Sequence, residues 1–284
     1  MSQRVIDIRS RPAFLHDFYG ARQGTPEFET AKWLNRRVGS NNDEHFVKSQ
    51  SLSGFLQEIR DAGINASVVI GRDTPAIQNT NDEIAKLVSE NKELIGVGSV
   101  DPERLGPARA VEEVERAIGP LALKAINLEP GFGKTARHFD DPLLFPVYEV
   151  LQSRNVPVFL MSGPTIPDLH FNDPSAIGRV ARAFPDLQIV VHHGAWPKVL
   201  EIVGVAFRYA NVHIVPDMYA FAPGGHLYVE AANGFMKDQI LFGSSFPFRA
   251  MAQSVEDYRR LGFKDTVLES VMFENANRLL KLAA

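Results

Sequence analysis

The stretch "VIDIRSRPAF", residues 5–14, joins a strand-like run to two cations two residues apart, Arg9 and Arg11, with Pro12 directly after them. Alternate side chains along a strand share a face, so Arg9 and Arg11 point the same way. A strand face carrying two guanidiniums is costly unless an anion meets it. The planar fork of arginine matches a carboxylate in bidentate fashion, and it also polarises a carbonyl oxygen. The chemistry suggested is therefore capture of a small carboxylated compound. Proton transfer needs other groups, and His193, Glu129 and Asp217 are the candidates. Arg72, Lys134 and Arg249 are further cations that follow strand-like runs, and Trp196 and Ser245 complete the candidate substrate contacts.

Those residues sit at the ends of recurring apolar runs. The runs begin near Val5, Ile64, Leu94, Leu121, Val156, Leu187, Asn211 and Gln239. After a long first connection they recur about every thirty residues, the length of a βα unit. Helical patterns lie between them. "TNDEIAKLVSENK" offers a capping box, Thr80 with Glu83, and places Ile84, Leu87 and Val88 on one face. "DDPLLFPVYEVLQSRN", "PSAIGRVARAF" and the C-terminal "VLESVMFENANRLLKL" read as amphipathic helices too. Nearly continuous apolar strands alternating with helices predict a parallel sheet. No Gly-rich phosphate fingerprint follows a strand, and the eight-fold regularity favours a closed α/β barrel of the (β/α)8 TIM type over an open doubly wound sheet. One domain over residues 1–284 is expected. Segment 12–50 is expected to be an insertion over the barrel mouth, with Phe14, His16 or Tyr19 in the pocket wall.

Composition narrows the function classes. Of 284 residues, 45% are hydrophobic and 23% charged, which suits a globular protein. A net charge of −4 offers no basic field for nucleic acid or an anionic membrane. The absence of cysteine removes disulfides, thiolate nucleophiles and Cys-based metal sites. The N-terminus lacks the apolar segment of a signal peptide, and no run is long enough to span a bilayer, so a cytoplasmic location is expected. A homo-oligomer is left open.

Taken in order, "VIDIRSRP", "NLEPGF", "DDPLLFPVYEVLQSRNVPVFLMSGP", "IVVHHGAWPKVLE" and "ILFGSSFPF" resemble the amidohydrolase-related proteins over nearly the whole chain. That family includes aminocarboxymuconate semialdehyde decarboxylase and the pyrone dicarboxylate lactonases. The resemblance implies a metal site, yet its positions have changed. The family's His-x-His pair on the first strand corresponds to Arg9 and Arg11, its strand-five histidine to Met161, and its strand-eight aspartate to Ser245. The strand-six histidine alone remains, as His193. Arginine has no lone pair to give a metal, and methionine and serine are poor ligands for hard or borderline ions. No metal and no cofactor is therefore expected. The implied activity is that of a hydrolase, lactonase-like, working without the usual divalent ion on a small carboxylated compound. His193, Glu129 or Asp217 would be its base, and Arg9, Arg11, Arg72, Lys134, Trp196, Ser245 and Arg249 would contact the substrate.

Other readings stand beside this one. A metal held by His193, Glu129, Asp217 or His170 would make the chain a metal-dependent hydrolase or decarboxylase. A third reading is a non-catalytic barrel that binds an acid metabolite. In purely structural terms, Arg9 and Arg11 would pair with Glu129 and Asp217 as a buried ion cluster. His193 would then be a core histidine, His192 would point away from it as packing, and Met161 would be core filler.

Overall fold

The computed structural model describes residues 4–15, 22–40 and 42–282. Seven parallel strands follow one another round a sheet in chain order: β1 (Ile6–Ser10), β2 (Ala66–Ile70), β3 (Leu94–Ser99), β4 (Ile126–Leu128), β5 (Val158–Met161), β6 (Ile189–His192) and β7 (Val212–Val215). The eighth run closes the ring without becoming a regular strand. It bridges β7 at Ile214 with Ile240 and β1 at Ser10 with Phe246. Ile8 N–H donates to Phe242 O at 3.2 Å, and Leu241 N–H to Ile214 O at 3.0 Å. The ladder fails locally for two reasons. Pro216 has no N–H to give, and Phe242 N–H is diverted to Val271 O at 2.9 Å. That carbonyl lies in a π turn (Ser270–Glu274) of the C-terminal helix. The fold is a TIM-type barrel.

Helices fill the connections: α1 (Pro26–Arg37), α2 (Glu44–Lys48), α3 (Leu52–Asp61), α4 (Asn81–Glu90), α5 (Pro102–Leu105), α6 (Pro107–Ile118), α7 (Phe145–Ser153), α8 (Pro174–Ala183), α9 (Val199–Arg208), α10 (His226–Gly234), α11 (Met251–Arg259), α12 (Asp265–Glu269) and α13 (Asn275–Leu279). Local chemistry starts several of them. The capping box of α4 forms, with Glu83 N–H donating to Thr80 Oγ1 and Thr80 N–H to the Glu83 carboxylate. Thr25 caps α1, where Pro26 takes the first helical position.

Strand alternation divides the core in two. Val69, Leu128, Leu160, Val191 and Ile214 face outward to the helices. Ile8, Ile70, Val97, Phe159, Val190, Val215 and Leu241 fill the barrel interior, and Phe273, Ala276 and Leu279 pack against the same cluster. A bulge in β1 sets the direction of Arg9. Asp7 pairs with Ser67 and Ser10 with Val69, so three steps on β1 oppose two on β2. The extra residue lets Arg9 follow Ile8 onto the inner face. Gly243 leaves room for it, because a Cβ there would lie 2.8 Å from the Arg9 Cβ.

Several buried groups titrate abnormally. Burial lowers His45 and His213 to about 4, and it raises Asp7 to about 6. The unfolded chain binds more protons at each histidine between pH 4 and 6.5, so stability is lost as pH falls through that window, by up to about 3 kcal/mol per histidine. Asp7 acts with the opposite sign, since the folded state binds its proton more tightly between pH 3.8 and 6. Two histidines outweigh one aspartate, so the denaturant midpoint is expected to fall between pH 6.5 and 4. His213→Gln should flatten that slope; an unchanged slope would remove His213 from the account.

Candidate functional site

At the C-terminal ends of the strands lies a cavity of about 330 Å³. Arg9, Arg11, Arg72 and His193 contribute its polar wall. The guanidiniums have distinct settings. Arg11 donates through Nε to Ile70 O and through Nη2 to Gly71 O, both at 3.2 Å, and its Nη2 also meets Glu129 Oε1. Arg72 Nε lies 2.8 Å from Glu129 Oε2, and its guanidinium sits 4.7 Å from the centre of the Phe132 ring. Asn127 Nδ2 donates to Glu129 Oε1 at 2.9 Å. Arg9 Nη2 lies 3.6 Å from the Met161 sulfur.

Glu129 is thus a counter-ion. Burial alone would raise its pKa, but the Arg11 and Arg72 charges override that and hold it at about 2. A carboxylate so firmly ionised is a weak base. The buried ion cluster foreseen as the structural alternative exists for Arg11, with Arg72 as its second cation.

Asp217 belongs with His193 rather than with the arginines. Its Oδ2 lies 2.7 Å from His193 Nδ1 and accepts from His193 N–H at 3.1 Å. Both residues have left-handed backbone, φ 60° at His193 and 46° at Asp217. That geometry explains why two successive histidines face inward. His192 is the register partner of Met161 and shares its inner face. Simple alternation would send His193 outward, and the left-handed turn brings it back to the cavity. His192 therefore does not point away as packing. It lies buried beneath the cavity, its ring 4.9 Å from that of Phe159. Burial and then the Arg9 charge push its pKa well below the ordinary value. His193 is also lowered, chiefly by burial, with Asp217 opposing and Arg9 and Arg11 assisting. The His193 imidazole is neutral at neutral pH, with the nitrogen opposite Asp217 left to act.

Other expected contacts lie elsewhere. Lys134 is exposed and lines a separate cleft with Glu103 and Arg104. Arg249 is buried outside the cavity, where it donates to Val38 O, pairs with Asp257 and covers the Phe221 ring at 4.0 Å. It ties the end of α1 to α11. Trp196 stands behind the wall, stacked 5.2 Å from Tyr219, which meets the His193 ring edge-on at 5.3 Å. Ser245 is buried beside Arg9, donating through its N–H to Arg9 O at 3.0 Å. Met161 is more than core filler, since it lines the cavity. His170 contacts His138 at 3.2 Å through their Nε2 atoms, away from His193.

Much of the apolar wall is new. Thr30, Ala31, Trp33 and Leu34 of α1 cover the cavity, joined by Phe132, Met218 and Phe248. Four residues of segment 12–50 thus line the cavity. Phe14 packs instead on Phe55, 6.2 Å between rings, and His16 and Tyr19 lie outside the described residues. Ala31 and Leu34, three apart in a helical pattern, were the available signal; Phe132 and Phe248, in loops, carried none.

The amidohydrolase family model matches residues 50–282. The chain belongs to the amidohydrolase family. A TIM-barrel protein of Bordetella bronchiseptica is 32% identical, with a TM-score of 0.89 and 98% of each chain covered. A 2-amino-3-carboxymuconate-6-semialdehyde decarboxylase of Dictyostelium discoideum is 36% identical over 84 residues, 29% of this chain and 22% of that protein. The match thus spans about a fifth of that relative's length. The fold also matches a 5-carboxyvanillate decarboxylase of Novosphingobium aromaticivorans, solved with manganese and 4-hydroxy-3-methoxy-5-nitrobenzoic acid, at 14% identity and a TM-score of 0.67 over 99% and 96% of the two chains.

The residues of this chain do not fit a divalent metal of that kind. Arg9, Arg11, Met161 and Ser245 stand at the ligand positions the resemblance implies, and His193 has Nδ1 engaged by Asp217. Among the described residues no three of His, Asp and Glu gather as a metal-binding group. One imidazole is too few for a zinc site.

The counter-ion role of Glu129 gives a direct test. Glu129→Gln leaves Arg11 and Arg72 buried without their anion, and should lower stability by about 3–5 kcal/mol. Unfolding in denaturant would measure it; a variant as stable as the parent but inactive would instead make Glu129 a catalytic group.

Proposed function

We propose that this chain is an enzyme acting on a small carboxylated compound without a divalent metal, and that it is a hydrolase. The observation that carries this reading is that a neutral histidine, oriented by Asp217, shares one cavity with three guanidiniums. Three guanidiniums line one cavity, and their planar forks favour an anion there. One guanidinium pairs with the substrate carboxylate, and a second stabilises the charge that grows on a carbonyl oxygen. His193 takes a proton from water through the nitrogen that Asp217 leaves open, and that water attacks the carbonyl carbon; the tetrahedral intermediate then breaks its bond to the ester oxygen, which takes the proton back from the imidazolium, leaving an acid and an alcohol. Asp217 steadies the imidazolium that forms. Trp33, Leu34, Phe132 and Phe248 offer faces for a flat substrate and exclude water. A carboxylated lactone or a similarly activated ester meets these demands.

Decarboxylation is the second reading, and the names of the Dictyostelium and Novosphingobium proteins favour it. It requires a proton donor at carbon, for which a neutral imidazole is poorly suited. A panel of carboxylated lactones and aromatic acids, assayed with and without a chelator, separates the two. Lactone turnover unaffected by chelation is expected, whereas carbon dioxide release, or loss of turnover to the chelator, would overturn the hydrolytic, metal-free reading. His193→Ala should lower kcat by about 10²–10⁴-fold while changing KM little. The rate should hold at neutral pH and fall only on acidification through a His193 pKa below the usual 6.5. An acid limb at or above 6.5 would contradict the assignment of His193 as base.

A further inference from the structure

The outer face of α9 is built like half of a helix–helix contact. Its inner side buries Val199, Ile202 and Ala206 against the barrel. On the opposite side Leu200 is 68% exposed and Phe207 71% exposed, with half-buried Val203 and exposed Gly204 between them. Positions 200, 203, 204 and 207 form one helical stripe. Phe235, just after α10, is 57% exposed and extends the patch, its ring meeting Phe207 edge-on at 5.2 Å. These are the three most exposed of the large apolar residues described.

Gly204 supplies an independent observation. Glycine within a helix costs about 1 kcal/mol relative to alanine. Nothing among the described residues calls for it, because a Cβ at Gly204 would meet none of their atoms within 4 Å. A missing side chain at the centre of an apolar stripe is what lets a second helix approach closely.

The charges indicate which helix. Glu201 and Arg208 are both exposed and lie on the same flank of the stripe, seven residues apart. At 1.5 Å per residue that is about 10 Å along the axis, too far for them to pair with each other. Neither has an ion-pair partner among the described residues. A two-fold axis passing beside Gly204 runs a second α9 antiparallel to the first. It brings Glu201 of each copy to Arg208 of the other, and Leu200 to Phe207. The surface is complementary to itself.

We propose that a second copy of this chain packs α9 against α9 about a two-fold axis at Gly204, making the protein a dimer. The interface is isologous, with Leu200, Val203, Phe207 and Phe235 as its apolar centre and two Glu201–Arg208 pairs at its rim.

Sedimentation velocity of the full chain over a concentration series tests this. A dimer is expected. Phe207→Asp should weaken it more than tenfold, with the circular dichroism spectrum and melting temperature of the parent retained. Gly204→Ala, which strengthens the isolated helix, should nevertheless weaken the dimer. Glu201→Arg alone should weaken association by about tenfold through like charges across the axis, and Glu201→Arg combined with Arg208→Glu should restore it. A chain that sediments as a monomer throughout would overturn the proposal. So would a dimer whose dissociation constant ignores Phe207→Asp, or a charge reversal that its partner reversal fails to rescue.

Discussion

Two buried guanidiniums share one buried carboxylate, and the site is arranged around that cluster. Arg11 and Arg72 meet Glu129 from two strand ends, and Asn127 fixes the same carboxylate from below. In so dry a place an unpaired charge would be prohibitive, and the shared anion makes the two cations tolerable. The charges of Arg9 and Arg11 have consequences beyond the ion pairs. They add to burial in keeping His192 and His193 neutral, so the field of the arginines helps set the protonation state of the histidines across the cavity. Arg11 therefore belongs both to the anchor of the barrel mouth and, with Arg9, to the source of its electrostatics.

The framework of the barrel was legible because it depends on local periodicity. Apolar runs, the Thr80–Glu83 capping box and the spacing of βα units are all short-range signals, and they located the strands to within a few residues. The exception was the eighth run, whose pairing is broken by a proline and by a π turn in another helix, neither of which is visible in its own residues. The arginine face was legible for the same local reason, although a bulge in β1 had to preserve it.

The pairing of charges was harder to read. Nothing in sequence links His193 to Asp217 or distinguishes Asp217 from Glu129 as partner. Left-handed backbone at His193 overturned the alternation rule that should have set His192 and His193 on opposite faces. Arg249 and Lys134 also follow strands, yet one is absorbed in holding α1 to α11 and the other faces a different cleft. A cation near a strand end is a candidate by topology alone. Its counter-ion decides what it does, and that partner lies far away in sequence.

In the proposed metal-free reaction, arginines at the positions of a metal change what the site must supply elsewhere. A divalent ion offers open coordination positions and acidifies a bound water, so it provides both the electrophile and the nucleophile. A guanidinium provides only the first. It donates hydrogen bonds in a fixed plane and keeps its charge at any accessible pH, but it cannot turn water into hydroxide. In the proposed reaction the proton must therefore pass to a side chain whose pKa lies below the working pH. Glu129 is excluded by its two cations, which make it too weak a base. His193 has the matching properties: it is neutral, it is held at one nitrogen by Asp217, and it faces the cavity that the arginines line. The same burial and positive charge that would favour an anionic substrate also keep this imidazole unprotonated, so cation and base are two results of one electrostatic arrangement.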